Sequence, residues 1–246
     1  MAKNLPLDIQ NKVALAISEG LITGVKHFAQ FGYNPNLSSG VEAAMWSGPT
    51  PLYVFPNDAG ESMRLKGGNV ADNQTMLIQA LDQDWNEVNI PLALNGIAPV
   101  VIPGNLARIN RVINIDSTEI IGDATVTNSA GTVIYAVILA AEQITTQVIF
   151  SVPVGLKAKL ETALVSLNRS GGADTGVIFR YRRRDFGGVF GTGARFGLNK
   201  KGTSAKTIVI EGVSPLNPKS DVVLLASADN NTTDVSARTP FTLYKV

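Results

Sequence analysis

Apolar and polar residues alternate through most of this chain, and Gly, Asn or Pro interrupts the alternation at spacings of roughly ten to fifteen residues. That rhythm restricts the fold to short strands joined by turns. Val88, Ile90, Leu92 and Leu94 fall on one side of an extended segment, with Glu87, Asn89 and Ala93 on the other, as in a half-buried antiparallel strand. A second strand is expected over 75–81, joined to the first by the polar loop 82–86, and Asn95-Gly96 supplies a turn because both residues tolerate positive φ. Further strands are expected near 107–115, 124–127 and 132–139. After a break at Val152-Pro153-Val154-Gly155, others follow near 159–168, 176–181, 206–211, 221–226 and 239–246. Long amphipathic helices between strands are missing from the pattern, which disfavours a doubly wound α/β fold.

The expected architecture is all-β: two β-sandwich domains, of jelly-roll or immunoglobulin-like type, over 41–150 and 151–246. An N-terminal arm over 1–40 precedes them, with at most one short helix near 8–19, where Leu7, Ile9, Val13, Ala16 and Ile17 fall at helical spacing. Residues 21–37 mix apolar side chains with Gly and Asn-Pro breakers, which suits an extended segment. Such an arm needs a surface to lie on, either its own domain or a neighbouring subunit. A chain of 246 residues with 45% hydrophobic content can build its cores without disulfides or metals. No apolar run reaches the length of a membrane span, and the start lacks a secretory h-region, so a soluble protein made in the cytoplasm and not exported by a classical signal is expected.

The residue inventory disfavours catalysis. With one histidine and no cysteine, thiol nucleophiles, thiolate metal sites and His-rich metal sites are excluded. No GxSxG elbow is present, and a Ser-His-Asp triad would have to recruit His27 from the arm. Acidic residues such as Asp82, Asp84, Asp174, Asp229 and Asp234 lie in turn-like settings where bonding to their own backbone explains them, and no Asp-x-Asp-x-Asp-Gly calcium loop occurs. The Gly-rich stretch 187–193 lacks the Gly-Lys-Ser/Thr ending of a phosphate loop and reads as a flexible connection. Neither a cofactor nor a metal is expected.

One charge concentration stands out in a chain of formal charge +1. Arg180, Arg182, Arg183, Arg184, Arg195, Lys200 and Lys201 surround Asp185, interleaved with Tyr181, Phe186, Phe190 and Phe196. Nucleic acid and protein partners both use Arg and aromatic side chains in this way. The near-neutral whole favours a protein partner, and no membrane partner is expected. The expected interaction residues are therefore Arg180, Arg182, Arg183, Arg184, Phe186, Phe190, Arg195 and Phe196, with Phe28, Phe31 and Tyr33 of the arm and Trp85 of the hairpin loop. Trp46 and Trp85 lie in turn-like surroundings, open either to sugar stacking or to packing.

The order of several segments resembles a family of virion structural proteins of tailed bacteriophages, of marine and cyanobacterial type. The resemblance rests on Phe31-Gly-Tyr-Asn-Pro-Asn, Met45-Trp-Ser-Gly, Leu81-Asp-Gln-Asp-Trp-Asn-Glu-Val, Leu92-Ala-Leu-Asn-Gly, Arg108-Ile-Asn-Arg-Val, Val152-Pro-Val-Gly and Pro218-Lys-Ser-Asp-Val. At Asn89-Ile90-Pro91 the sequence departs from the Thr- and Glu-rich run usual there. Pro91 has no amide hydrogen, so its strand should lie at a sheet edge or carry a bulge, and an open edge invites a neighbouring subunit. The resemblance implies a virion component that forms homo-oligomers and contacts major capsid or tail proteins. A capsid decoration or cement role is the first expectation; a tail, baseplate or fibre part, including a receptor- or carbohydrate-binding module, is the alternative.

Overall fold

The computed structural model describes residues 16, 22–169, 174–201, 204–209, 214–231 and 233–246. Apart from Ala16, the helix expected over 8–19 lies outside the described residues. The fold is all-β. Its strands are β1 (Val25–Leu37), β2 (Glu42–Ala44), β3 (Glu61–Lys66), β4 (Thr75–Asp82), β5 (Glu87–Ala93), β6 (Val100–Asn114), β7 (Ala124–Asn128) and β8 (Ile134–Ile138). They are followed by β9 (Ile149–Ser151), β10 (Leu156–Leu160), β11 (Thr162–Arg169), β12 (Asp174–Arg184), β13 (Gly191–Lys201), β14 (Ser204–Val209), β15 (Asp221–Ala228) and β16 (Thr233–Lys245).

One sheet runs β1-β16-β11-β14, with β10 also on β16; a second runs β13-β12-β15-β2, with β9 also on β15. Their inner side chains share one core, in which Leu167, Phe179, Leu224, Val235 and Phe241 are buried. The third sheet, in the order β5-β4-β6-β3-β7-β8, encloses a separate core around Met63, Met76, Ile78, Ile109, Val126 and Tyr135. Its central strand β6 pairs with β3 through its first half and with β4 through its second, with Gly104 at φ +79° in the register shift of the β3 pairing. β5 and β8 end this sheet, so the strand carrying Pro91 is an edge strand. There the missing amide can face solvent instead of breaking a ladder.

The strands sort into cores differently from their order in the chain. β1 and β2, within and beside the expected arm, and β9, at the end of the expected first domain, all hydrogen-bond to strands of the C-terminal half. The six-stranded unit is thus inserted between β2 and β9 of a sandwich whose sheets need both ends of the chain. Residues 25–37 are not a free arm. They pair with β16 almost end to end, and Phe28 packs against Phe150 and Phe241 with ring centroids 4.5 and 5.2 Å away. The apparent breakers have local functions. A Cβ at Gly32 would sit 2.5 Å from the Met45 carbonyl oxygen, so glycine permits close approach, and Pro35 falls in the register shift between Asn34 and Leu37. Of the Gly-rich stretch, 187–190 belong to the connection between β12 and β13, while 191–193 open β13, which pairs with β12 along its whole length.

Candidate interaction surface and unit junction

The predicted interaction residues separate into three environments. Phe28 and Phe196 are partly buried and pack against the sandwich core, where Phe196 stacks on Phe179 at 5.5 Å. Trp85 is 1% exposed and donates its indole N–H to the Asp58 carbonyl at 3.0 Å, so it is a packing residue and not an exposed platform. Trp46 is equally buried and donates to the Thr50 carbonyl. Phe31 remains exposed on β1, and Tyr33 is half-buried, its phenol pKa raised by burial and then by Asp234.

A second group is drawn into the junction between the two units. Arg184 donates through Nε to Asp221 Oδ2 at 2.7 Å and through Nη2 to Asp58 Oδ1 at 3.1 Å. Its guanidinium lies 5.1 Å from the ring centre of Phe190 and 5.4 Å from that of Phe55. Arg182 donates to the Phe190 carbonyl at 3.0 Å, and Phe186 meets Trp85 edge to face. At the centre is Arg108 of β6, quoted in the sequence motif but not among the predicted interaction residues. Its Nε and Nη2 donate to the two oxygens of Asp221, each at 2.8 Å, and its Nη1 to the carbonyls of Pro56 and Ala107; Nη2 also donates to Asp58. All five guanidinium hydrogens therefore have acceptors. Burial works against the Arg108 charge, yet the hydrogen bonds and charges of Asp221 and Asp58 outweigh it and raise the pKa. Trp85 covers the guanidinium face at 4.3 Å. Asp221 completes its own set with Ser151 Oγ at 2.5 Å.

The next residues of β6 continue the joint. Asn110 Nδ2 donates to the Ser151 carbonyl at 3.0 Å and the Ser151 amide donates to Asn110 Oδ1 at 2.9 Å, so one side chain imitates a strand pairing across the junction. Gln30 of β1 donates to the Asn110 carbonyl at 2.7 Å, and Arg111 donates to the Ala29 carbonyl. Burial lowers the Arg111 pKa. Beside this seam lies a cleft of about 430 Å³ lined by Lys26, His27, Gln79, Glu87 and Arg111 over Phe28. His27 Nδ1 stands 3.4 Å from Thr242 Oγ1 and 3.9 Å from Glu161 Oε2. Among the described residues no three His, Asp or Glu side chains are grouped to hold a metal ion.

The third environment is the outward face of β12 and β13. Arg180 pairs with Glu42 at 2.8 Å, while Arg195, directly across from Arg180 in register, is exposed and has no ion-pair partner among the described residues. Arg183 donates to the Ser214 carbonyl at 2.9 Å. Val189, at 90% exposure, and Phe186 stand on the hairpin loop beside these cations. The side chains of Lys200 and Lys201 lie outside the described residues.

No protein-family model matches this chain, and no curated protein matches it. Among solved structures, the chain is similar to subunits of cowpea mosaic virus particles. One, from naturally occurring empty particles, is 8% identical over 74% of this chain and 82% of that one, with a TM-score of 0.23. A second, from an empty virus-like particle, is 8% identical over 77% and 83%, with a TM-score of 0.25. A protein of infectious bursal disease virus, Gx strain, is 9% identical over 89% of this chain and 71% of that one, also with a TM-score of 0.25. Superposition at this level does not fix a common topology.

Proposed function

We propose that the protein is a structural, non-catalytic subunit of a tailed-phage virion, one that assembles with further copies of itself and decorates or cements the capsid shell. The observation that carries this reading is a body whose two β units are riveted by a buried, fully bonded ion network while a sheet edge, an arginine face and large apolar side chains stay open to solvent. A rigid body with unpartnered edges and apolar groups is suited to fixed contacts with neighbours. The sequence resemblance to tailed-phage virion proteins, spread over most of the chain, supports the same reading. Burial of Trp46 and Trp85 argues against sugar stacking on either indole, which favours the shell over a receptor-binding tail part. Residues 25–37 lie on their own sandwich, so of this segment only exposed side chains such as Phe31 and the outer edge of β1 remain for contacts between subunits.

The test is incorporation. Purified virions analysed by mass spectrometry should contain this chain in copy numbers that follow the shell symmetry, and added protein should cosediment with particles lacking it. Absence from virions, together with failure to cosediment, would reject the assignment.

A further inference from the structure

The open face of β12 and β13 has a specific chemical character. β13 ends its sheet, so one side of its backbone has no strand partner among the described residues. Arg195 and Arg180 sit side by side across the ladder, a like-charge pair that costs stability unless an anion lies near. Glu42 pairs with Arg180, and exposed Arg195 has no ion-pair partner among the described residues. Ile178, one step along the same face, is 38% exposed beside Gly197, which offers no side chain to cover it. This surface calls for a partner that is apolar at its centre and acidic at its rim.

The chain carries such a surface elsewhere. At one end of the six-stranded unit, the loops 67–74, 94–99, 115–123 and 139–143 contain five carboxylates (Asp72, Asp116, Glu119, Asp123 and Glu142) and not one Lys or Arg. Asp72 is buried and spends its oxygens on the amides of Asn69 and Ile121, while its carbonyl accepts the Gly96 amide. Asp123 accepts the Ala140 amide and Gln74 donates to the Glu119 carbonyl, so the four loops form one cross-braced tip. The tip nonetheless exposes Val70 at 76%, Ile97 at 51% and Ile121 at 59%. Among the described residues no ion pair links the tip to the arginine face within one molecule.

We infer that the β12–β13 face of one copy docks the acidic, apolar tip of a second copy, in a head-to-tail contact centred on Arg195 and Ile178 against Val70, Ile97 and Ile121. The inference rests on the self-assembly proposed above and identifies the surfaces that carry it. Because the two patches differ, the contact is heterologous: it closes into a ring if the rotation between copies allows and otherwise extends into a filament. Opposite charge steers and registers the encounter, and the apolar centre supplies the burial.

A charge exchange tests it on the full chain. Arg195→Glu reverses the face, and the double change Glu119→Lys with Glu142→Lys reverses the tip; none of these side chains has a bonding partner among the described residues to lose, and circular dichroism checks the fold. Sedimentation velocity of the wild type should show concentration-dependent association that weakens in high salt. Each variant alone should associate about tenfold or more weakly, and an equal mixture of the two should recover association, since each then presents the complement of the other. If both variants associate as well as the wild type, the docking is wrong while self-assembly stands. If each is weakened but the mixture does not recover, the two patches do not face each other and the docking is again wrong. A wild type that stays monomeric at every concentration overturns the docking and the self-assembly reading together.

Discussion

Asp221 is the residue on which the joint between the units turns. It accepts from Arg108, Arg184 and Ser151 while 1% exposed, so removing its charge leaves two guanidinium groups with Asp58 as their remaining carboxylate. Asp221→Asn should therefore destabilise the protein by about 3–5 kcal/mol, the usual cost of breaking a buried pair from one side. Arg108→Met should cost less, because Arg184 still neutralises Asp221 and the new side chain can fill the space beneath Trp85. Urea denaturation of the two variants checks both magnitude and order. Asp229 gives a pH signature. The Gly176 amide first, and the Thr175 hydroxyl after it, hold its pKa below the ordinary 3.8 against some desolvation. A depressed folded-state pKa means that this carboxylate's contribution is complete above the ordinary value and fades as pH falls through the folded one. Asp229→Asn should lower the melting temperature at pH 7, and its difference from the wild type should shrink as pH falls through the depressed folded-state pKa. Sequence alone could not single out Arg108 or Asp221, because an ion pair 113 positions apart leaves no local trace. The spacing of Arg108, Asn110 and Arg111 was visible, but its meaning depends on which strands β6 meets.

Strands were legible where one face of the sheet is wet. β4 and β5 follow the alternation of their apolar residues, and Pro91 correctly marked an edge. β1 and β13 were hidden because glycine does in them what it does in turns. At Gly32 the reason is close approach between chains, since a Cβ there would also lie 2.8 Å from Val148 Cγ2 and 2.9 Å from the Val148 amide nitrogen. Gly32→Ala should accordingly cost about 1–3 kcal/mol through forced shifts of β1 against the Met45 and Val148 backbones. Gly40→Ala, at a positive φ of 70° with open space around it, separates backbone strain from steric contact. Thermal unfolding of the pair distinguishes them: a loss at Gly32 no larger than at Gly40 would show that crowding is not the cause. The Asn-Pro of β1 had a similar masking effect, since a bulge and a turn use the same residues.

At the scale of the whole molecule, the expected division into consecutive domains gave way to an insertion, because hydrogen-bond partners for β16 and β15 come from the N-terminal region as well as from their own half. Composition cannot report this. Val152-Pro153-Val154-Gly155 looks like a linker, yet the Val152 amide and carbonyl both bond across to residues 219 and 220, and Val154 donates to the Trp85 carbonyl, so the stretch is part of the joint. Two cores connected by polar rivets should unfold together only while the rivets hold, since each core alone loses the contacts that the other buries. Hydrogen exchange in increasing urea should show amides of β4–β8 and of β11–β16 in the wild type opening in one transition. In Asp221→Asn the set should split, and the six-stranded unit, with the smaller core, should open first while the sandwich ladder of β16 stays protected. Asn110, Gln30, Arg111 and the Asp58–Arg184 pair still bridge the units in that variant, but the neutral bonds contribute about 1 kcal/mol each, and Asp58, 30% exposed, is a weaker anchor than the buried Asp221. A variant that is destabilised yet still opens in a single transition would mean that apolar contact around Trp46, Tyr53 and Ile134, and not the ion network, carries the coupling.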